Sequence, residues 1–539
     1  MSSFSLKLTT GGVFILSVLF LLFPIFSIEL QVLQYTHGIW IYPLDDAYIH
    51  IAVAKNLALN HIWSATGYGF QSVSSSILYP ILLSASYILF GVNPLIPLIV
   101  NLIAAFSLLY TMQKWLDRQG TSKLQQLLIL VAVNFLTPLP VMVVLGMEHT
   151  LQILISFLFI YGFCDWLAQI EKDDKRLMMP WSLCIWSVLV TGIRFEGIFL
   201  IILGCLFLLW KKRPRPAISL GILGALPIVL FGIYSMNRGS YFLPNSVLLK
   251  SASVPQRISD LPDYLFKGLF DKLYYSDPSR GQVATENLLI ILPLLYLYFF
   301  RVAEKPTNWR YICLFLIGAT LLHLCLSNTG WFYRYEAYLV GSSVLLIGLL
   351  LSKEPRKNFP DMRTTSGWVK TGVFLLLSIP LGLRGYYGLK NSVPACHDIY
   401  NQNYQMGEFL HKYYDSSAVA INDLGAVSYL AHGNSLDLWG IADISVARSK
   451  REGYYSAKFL DSLIKQRRVG FAAIFDRLYP PRLLRKWKKI ATWHIDNLIV
   501  AGDPNLNFYA VDTLMAEELK KNLIAFQVRL PPEVIVVYY

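Results

Sequence analysis

Residues 11–50 read GGVFILSVLFLLFPIFSIELQVLQYTHGIWIYPLDDAYIH. The first half is an apolar run from about Gly12 to Leu30, and a helix needs about 20 such residues to cross the hydrocarbon core. Lys7 precedes it, as in a signal peptide, but no small-residue cleavage site follows. The run therefore reads as a retained first span. The second half ends on two adjacent carboxylates, Asp45 and Asp46. Next to an apolar surface two such acids are costly to ionise together, so one should have a raised pKa or meet a cation. That suits a general base, or a site for a metal or cationic ligand. An N-cap for the helical stretch Ala47–Leu59 accounts for the same residues without chemistry, and the two readings are compatible.

Outward from this stretch the chain keeps the same character. Of its 539 residues 55% are hydrophobic and 15% charged, against about 25% charged in soluble domains. Further apolar runs lie at 94–113, 124–143, 149–168, 180–193, 197–210, 216–236, 286–300, 310–327, 335–351 and 368–385. With the first run they make about eleven candidate spans. The runs 180–193 and 197–210 are short, and one tilted span across 181–210 competes with two. Ser76–Phe90 is also apolar but short, which suits an interfacial or re-entrant helix. If it does not span and the N-terminus is cytoplasmic, the basic clusters Lys114/Arg118/Lys123, Lys172/Lys175/Arg176, Lys211–Arg215, Arg301/Lys305/Arg310 and Lys353–Arg363 all fall inside. The short outer loops then hold Arg194 and Arg334, as the positive-inside rule asks. The formal net charge of +13 thus sets topology and touches lipid headgroups; no separate basic domain of the nucleic-acid-binding kind exists. The six cysteines are scattered, five in apolar runs and Cys396 beyond them, and form neither a disulfide framework nor a metal-ligand spacing.

After about residue 388 charges become frequent and apolar runs short. Ala418–Asn422, Ser435–Trp439, Phe471–Phe475, Leu498–Ala501 and Phe508–Val511 read as strands, and Gly407–Tyr413, Ser456–Gln466 and Pro481–Lys488 as helices. Their alternation predicts a small α/β domain. The expected fold is mostly α: a polytopic membrane part, residues 1–388, followed by an extracytoplasmic α/β domain, residues 389–539.

The unusual polar residues collect on the outer side, where charge at membrane depth is expensive and so tends to be functional. Gly146-Met147-Glu148-His149 lies between two spans; His149 reads best as an interfacial residue capping the next one. Arg194 and Glu196 are spaced for a local ion pair, and Arg194 also suits a phosphate. In Leu243-Pro244-Asn245-Ser246 through Lys250, Asn245 can bond a sugar hydroxyl and Lys250 a phosphate; a turn leading into a solvated helix is the plainer account. Trp331-Phe332-Tyr333-Arg334-Tyr335-Glu336 places Arg334 among rings that an interfacial aromatic belt would also explain.

Together these motifs resemble the membrane glycosyltransferases of the C-type (GT-C) fold, whose mark is an acidic pair in the first outer loop followed by interfacial helices. The nearer resemblance is to bacterial enzymes similar to the terminal arabinofuranosyltransferases of the mycobacterial cell wall. It is carried by Asp45-Asp46-Ala47, Gly67-Tyr68-Gly69 with Ser72 and Ser74-Ser75-Ser76, Gly146-Met147-Glu148, Arg194-Phe195-Glu196-Gly197, Leu243-Pro244-Asn245 with Lys250, Asp423-Leu424-Gly425-Ala426 and Asp437-Leu438-Trp439-Gly440. Phe195 stands where that group has Pro, and the first-loop turn lacks its Glu-Gly-Tyr-Thr run. The resemblance implies an inverting transfer of a hexosyl or pentosyl unit from a polyprenyl-phosphate donor to a cell-envelope glycan or lipid acceptor. It implies an enzyme of the bacterial inner membrane, with its N-terminus cytoplasmic and its C-terminal domain outside. It makes Asp45 the base, with Asp46 positioning acceptor or base, and Glu148 supporting substrate hydroxyls. Arg194, Lys250 and Arg334 would stabilise the departing phosphate, and Glu196 and Asn245 would complete the substrate site. With few carboxylates mapped, metal-independent action is favoured over a divalent ion at the acidic pair. A transporter or flippase of lipid-linked sugars is the alternative, and a non-catalytic scaffold with a polysaccharide-binding tail a further one. Transporter folds commonly show repeated halves, and this sequence shows no internal repeat.

Overall fold

In the computed structural model the opening apolar run is the helix Thr10–Tyr35, started by Thr9, whose hydroxyl accepts the Gly12 N–H. The structure describes residues 8–172, 178–250, 304–353, 364–415, 417–496 and 498–539, with scattered positions between 262 and 297. Among them, 6 helical stretches are long and apolar enough to cross a membrane: Thr10–Tyr35, Ile96–Arg118, His149–Lys172, Pro214–Asn237, Thr307–Leu326 and Gly367–Tyr414. Leu78–Phe90, Lys123–Leu136, Trp181–Ile193, Gly197–Trp210 and Ala337–Ser352 are shorter apolar helices. The chain is a multi-pass membrane protein. The expected span 286–300 lies largely outside the described residues.

Two local breaks matter. The run 124–143 divides into helices Lys123–Leu136 and Leu139–Val144 around Pro138, which has no N–H to continue the first. Trp181–Ile193 and Gly197–Trp210 are separate helices, not one continuous helix across 181–210; the chain opens at Arg194, whose backbone is extended. Irregular backbone at membrane depth is tolerated where it lines a cavity, and this break does.

In the first loop, helix Asp45–Asn60 (16 residues) packs against Leu78–Phe90 (13 residues). Ile49, Ala52 and Val53 of the former belong to one apolar cluster with Leu424, Val427 and Ile441 of the C-terminal part. The first loop is thus half of the seat on which that part rests.

Strand β1 (Ser276–Asp277) pairs antiparallel with β2 (Gln282–Val283). The remaining strands, β3 (Val419–Ile421), β4 (Ser435–Asp437), β5 (Phe471–Ile474), β6 (Lys488–His494), β7 (Asn505–Ala510) and β8 (Ile535–Tyr538), form a 6-stranded sheet in the order β4-β3-β5-β7-β6-β8. β3 runs parallel to β4 and β5; the other pairings are antiparallel. The expected strand at Leu498–Ala501 does not form. The amides of Ile499, Val500 and Ala501 are taken instead by the Asp398 carboxylate at 2.7, 2.8 and 3.2 Å. The helix expected at Pro481–Lys488 stops at Leu484 because Lys488 begins β6. The helix Thr365–Asp398 runs past residue 389 and continues through a π-helical turn, Ile399–Tyr404, into Gln405–Tyr414. Covalent continuity and the Asp398 contacts therefore both tie the sheet to the membrane part.

Candidate active site

Helix Asp45–Asn60 begins at Asp45 itself, and its cap position, Leu44, offers no side chain. The N-cap expectation thus fails for this helix, but Asp45 caps another. Its Oδ2 accepts the Gly425 N–H at 2.8 Å and its Oδ1 the Ala426 N–H at 2.9 Å, at the start of helix Gly425–Leu430. A Cβ on Gly425 would lie 2.0 Å from the Asp45 carbonyl oxygen; the approach needs glycine. Asp46 faces the other way, into an ion pair with Arg334.

Glu148 is fully buried. Its Oε1 accepts from Arg194 Nη1 at 2.7 Å and from Ser75 Oγ at 3.2 Å, and its Oε2 lies 3.2 Å from His50 Nε2. It is placed there by the turn at Gly146, whose φ is 67° and whose missing Cβ leaves room for the Tyr42 ring. Arg194 also meets Glu196, through Nε at 3.0 Å and Nη2 at 2.6 Å. The local ion pair read from the sequence exists, and Glu148 enlarges it. His149 starts the next span, but its buried ring nitrogens find no hydrogen-bond partner among the described residues, so it is no side-chain cap.

Arg334 follows a left-handed turn: Gly330, Trp331, Phe332 and Tyr333 have φ of 73°, 43°, 61° and 60°. Such backbone costs roughly 1–2 kcal/mol per non-glycine residue and persists where neighbours over-determine it. Glu336 does so here, taking the Gly330 N–H at 3.0 Å while pairing with Arg384, which also donates to the Tyr333 carbonyl. The turn points Arg334 inward, onto Asp46 and the Tyr335 hydroxyl. Its buried Nε has no hydrogen-bond partner among the described residues.

Two cavities meet at this acidic pair. One, of about 350 Å³, is lined by Asp46, His50, Ser75, Arg194, Arg334 and Tyr335 and by apolar residues such as Phe199, Ile228 and Leu326. The other, of about 690 Å³, lies between the membrane part and the sheet and is lined by Asp45, Asp46, Trp331, Asn403, Asn422, Asp423, Trp439 and Arg477. Asn245 sits elsewhere. It donates to the Ile441 carbonyl at 3.2 Å and lines a third cavity of about 310 Å³. Lys250 ends the helix Asn245–Lys250, but its side chain is outside the described residues.

The electrostatics of the two cavities differ. Burial pushes Asp45 up to about 7, helped by the charge of Asp423 and opposed by the two amides. Burial likewise raises Asp423 to about 6, against hydrogen bonds from Asn403 and Asn422. Burial would raise Glu148 too, but His50, His149 and Arg194 hold it well below the usual carboxylate range. His50 is itself lowered by burial, against the charge of Glu148. Among the described residues, His411, Asp415 and His432 lie close enough to hold a cation, on the exposed face of the tail and outside both cavities.

Of the residues singled out by sequence, Asp45, Asp46, Glu148, Arg194, Glu196 and Arg334 converge. His50, Asp423 and Arg384 join them without having been singled out as site residues; for Asp423 the signal was the Asp-Leu-Gly-Ala element in the tail.

A family model described as a domain of unknown function (DUF8728) matches residues 397–509. No curated protein sequence matches the chain. Among solved structures, ArnT from Cupriavidus metallidurans bound to undecaprenyl phosphate is 11% identical with a TM-score of 0.52, the match covering 93% of this chain and 98% of that one. The Archaeoglobus fulgidus oligosaccharyltransferase in its apo form is also 11% identical with a TM-score of 0.52, over 99% of this chain and 76% of that one. A likeness of this length at this identity is one of architecture, and the chain has the C-type (GT-C) fold of membrane glycosyltransferases.

Proposed function

We propose that this protein is an inverting glycosyltransferase, moving a hexosyl or pentosyl unit from a polyprenyl-phosphate donor to a glycan or lipid acceptor of the cell envelope. The observation that carries this reading is the position of Asp45-Asp46: Asp46 lines an apolar, arginine-bearing cavity, and both acids line a larger one that is richer in polar side chains. The smaller cavity suits the donor: apolar walls for the prenyl chain, and the buried Nε of Arg334 for a phosphate oxygen. Arg194 is already shared by two carboxylates, so its part is to fix Glu148 and Glu196 beside the donor sugar. Asp46 holds Arg334 and Asp45 takes the acceptor proton, with a pKa near the operating pH as a general base requires. Negative charge developing on the leaving phosphate meets a pre-aimed guanidinium in a dry site.

The donor set argues for action without a metal. Arg334 already occupies the cationic place beside Asp46, and the Asp45 oxygens are turned to amides, unlike an oxygen cage for a divalent ion. We place residues 1–388 in a bacterial inner membrane with the N-terminus cytoplasmic, and residues 389–539 outside it.

The test is sugar transfer by the purified protein in lipid, offered a panel of polyprenyl-phosphate sugars with glycan and lipid acceptors, wild type beside Asp45→Asn. The expected result is transfer that disappears in a folded Asp45→Asn. Consumption of no donor by folded wild type would sink the reading.

A further inference from the structure

The larger cavity is half built by the sheet, and its chemistry is specific. Its walls bring carboxylates (Asp45, Asp423), amides (Asn403, Asn422) and the indole of Trp439, with Lys450 Nζ 3.9 Å over one ring face, to one space. Carboxylates and amides hydrogen-bond hydroxyls, and the C–H face of a sugar ring packs on an indole. Asp423 reaches this wall at the end of β3, and Asn403, from the π-helical turn, donates to its Oδ2 at 3.3 Å. Two residues further on, the Gly425 amide holds Asp45. One short stretch of the tail thus fixes the orientation of Asp45 and sets a second carboxylate in its field.

We propose that the sheet completes the acceptor half of the active site: the cavity takes a hydroxyl-rich glycan end, and Asp423 is a positioning residue that works through Asp45. This rests on the transfer reaction proposed above. In the step, the acceptor O–H bond breaks and its proton goes to the Asp45 carboxylate. The oxygen's electron pair forms the bond to the anomeric carbon, and the bond from that carbon to the phosphate oxygen breaks, its pair leaving on the phosphate. The charge on Asp423 keeps Asp45 basic enough to take the proton; like charges at close quarters do not both ionise freely. The other charged groups at the pair are Asp46 on the same helix, Arg334 against Asp46, Asp437 behind Asp423, and Arg477 on the cavity wall. The raised Asp45 and Asp423 carboxyls agree with this arrangement.

The experiment uses the full chain in lipid, with the donor that wild type accepts and a short fluorescent oligosaccharide as acceptor, and compares wild type, Asp423→Asn, Asp423→Glu and Trp439→Ala. Removing the Asp423 charge stabilises ionised Asp45, so the acid limb of kcat/KM in Asp423→Asn should move to lower pH by roughly one unit, with a lower rate on the plateau. Asp423→Glu should keep the limb in place. Trp439→Ala should raise the acceptor KM about tenfold and leave the donor KM unchanged, the loss of a ring contact worth about 1.4 kcal/mol. A rate loss in Asp423→Asn with no movement of the limb would overturn the positioning role. A rise in donor KM for Trp439→Ala, or transfer by wild type to a lipid acceptor and to no oligosaccharide, would overturn the acceptor class. Wild type that consumes no donor would instead sink the transfer reaction itself, a different outcome from any of these.

Discussion

Asp45 and Asp46 are neighbours in the chain and live in opposite surroundings. Asp46 looks into the membrane part, where Glu148 and Glu196 are met by Arg194, and Asp46 itself by Arg334. Asp45 looks toward the sheet, where its partners are two uncharged amides and the charge that acts on it most is another acid, Asp423. On the first side every carboxylate named has a cation that fixes its geometry, and Arg194 lowers the proton affinity of Glu148 and Glu196. On the second, proton affinity is raised toward neutrality. Surroundings that differ in this way suit acids to different work, which under the function proposed above is holding on the membrane side and proton transfer on the tail side.

The sharpest way to break this contrast is to neutralise one acid on each side. Glu148→Gln leaves Arg194 short of a buried partner, and unfolding in detergent should become easier by about 3–5 kcal/mol. Asp45→Asn strands no buried cation, so its loss of stability should stay within about 1–2 kcal/mol, while transfer falls by about 10²–10⁴-fold, as for a lost general base. Equal destabilisation by the two substitutions would show that the sides are not distinct. Next in size is Gly425→Ala. The added Cβ has no room beside the Asp45 backbone, so the two chains must separate and the amide contacts to Asp45 lengthen. A misplacement of about 1 Å can reduce a rate about 10²-fold. Transfer should fall by roughly that factor while a photoreactive polyprenyl phosphate still labels the smaller cavity; equal loss of labelling would mean the two sides cannot be uncoupled.

How much of this was legible in the sequence follows the same division. Charge in an apolar context is conspicuous, so Asp45-Asp46, Glu148, Arg194-Glu196 and Arg334 could be picked out one by one. Their partners could not. The Asp45 contact spans 380 residues to Gly425 and the Arg334 contact 288 to Asp46, and no local periodicity encodes such pairs. His50 sits in an ordinary helical stretch and Arg384 in an apolar one, so neither stands out until Glu148 and Glu336 are seen against them. Asn245 shows the converse: its motif promised sugar, and its amide instead ties the membrane part to the Ile441 carbonyl. In the tail, β6 lacks clean alternation, since its centre is buried on both faces, and the sequence does not mark it; Leu498–Ala501 reads as a strand because it is a short apolar run, but Asp398 takes three of its amides instead of a neighbouring strand.

A smaller effect reads the tail side through pH alone. The base proposed above must be ionised to accept a proton, and Asp45 is raised to about 7. As pH falls through that value Asp45 binds its proton, so kcat/KM should drop about tenfold per unit on the acid side and level off above it. Glu148 is held far below this range and adds nothing to the profile. An acid limb near the ordinary carboxylate value would return Asp45 to the same class as its neighbour.

The smallest expected effect belongs to the membrane side and concerns backbone rather than charge. Gly330 opens the left-handed turn that delivers Arg334, and its own φ is 73°. An alanine there would add roughly 1–2 kcal/mol of left-handed strain to a turn already carrying it at Trp331, Phe332 and Tyr333. The Glu336–Arg384 pair clamps this turn from both ends, so Gly330→Ala should lower the unfolding free energy by about 1 kcal/mol rather than rearrange the turn. Donor affinity should then weaken less than tenfold, because Arg334 keeps its aim. In Glu336→Gln, where the clamp is loosened, the same alanine should do more damage to donor binding than it does in wild type. A double-mutant cycle measures that surplus. Strict additivity would mean that the clamp and the turn act independently, and that the aim of Arg334 is set by its pairing with Asp46 alone.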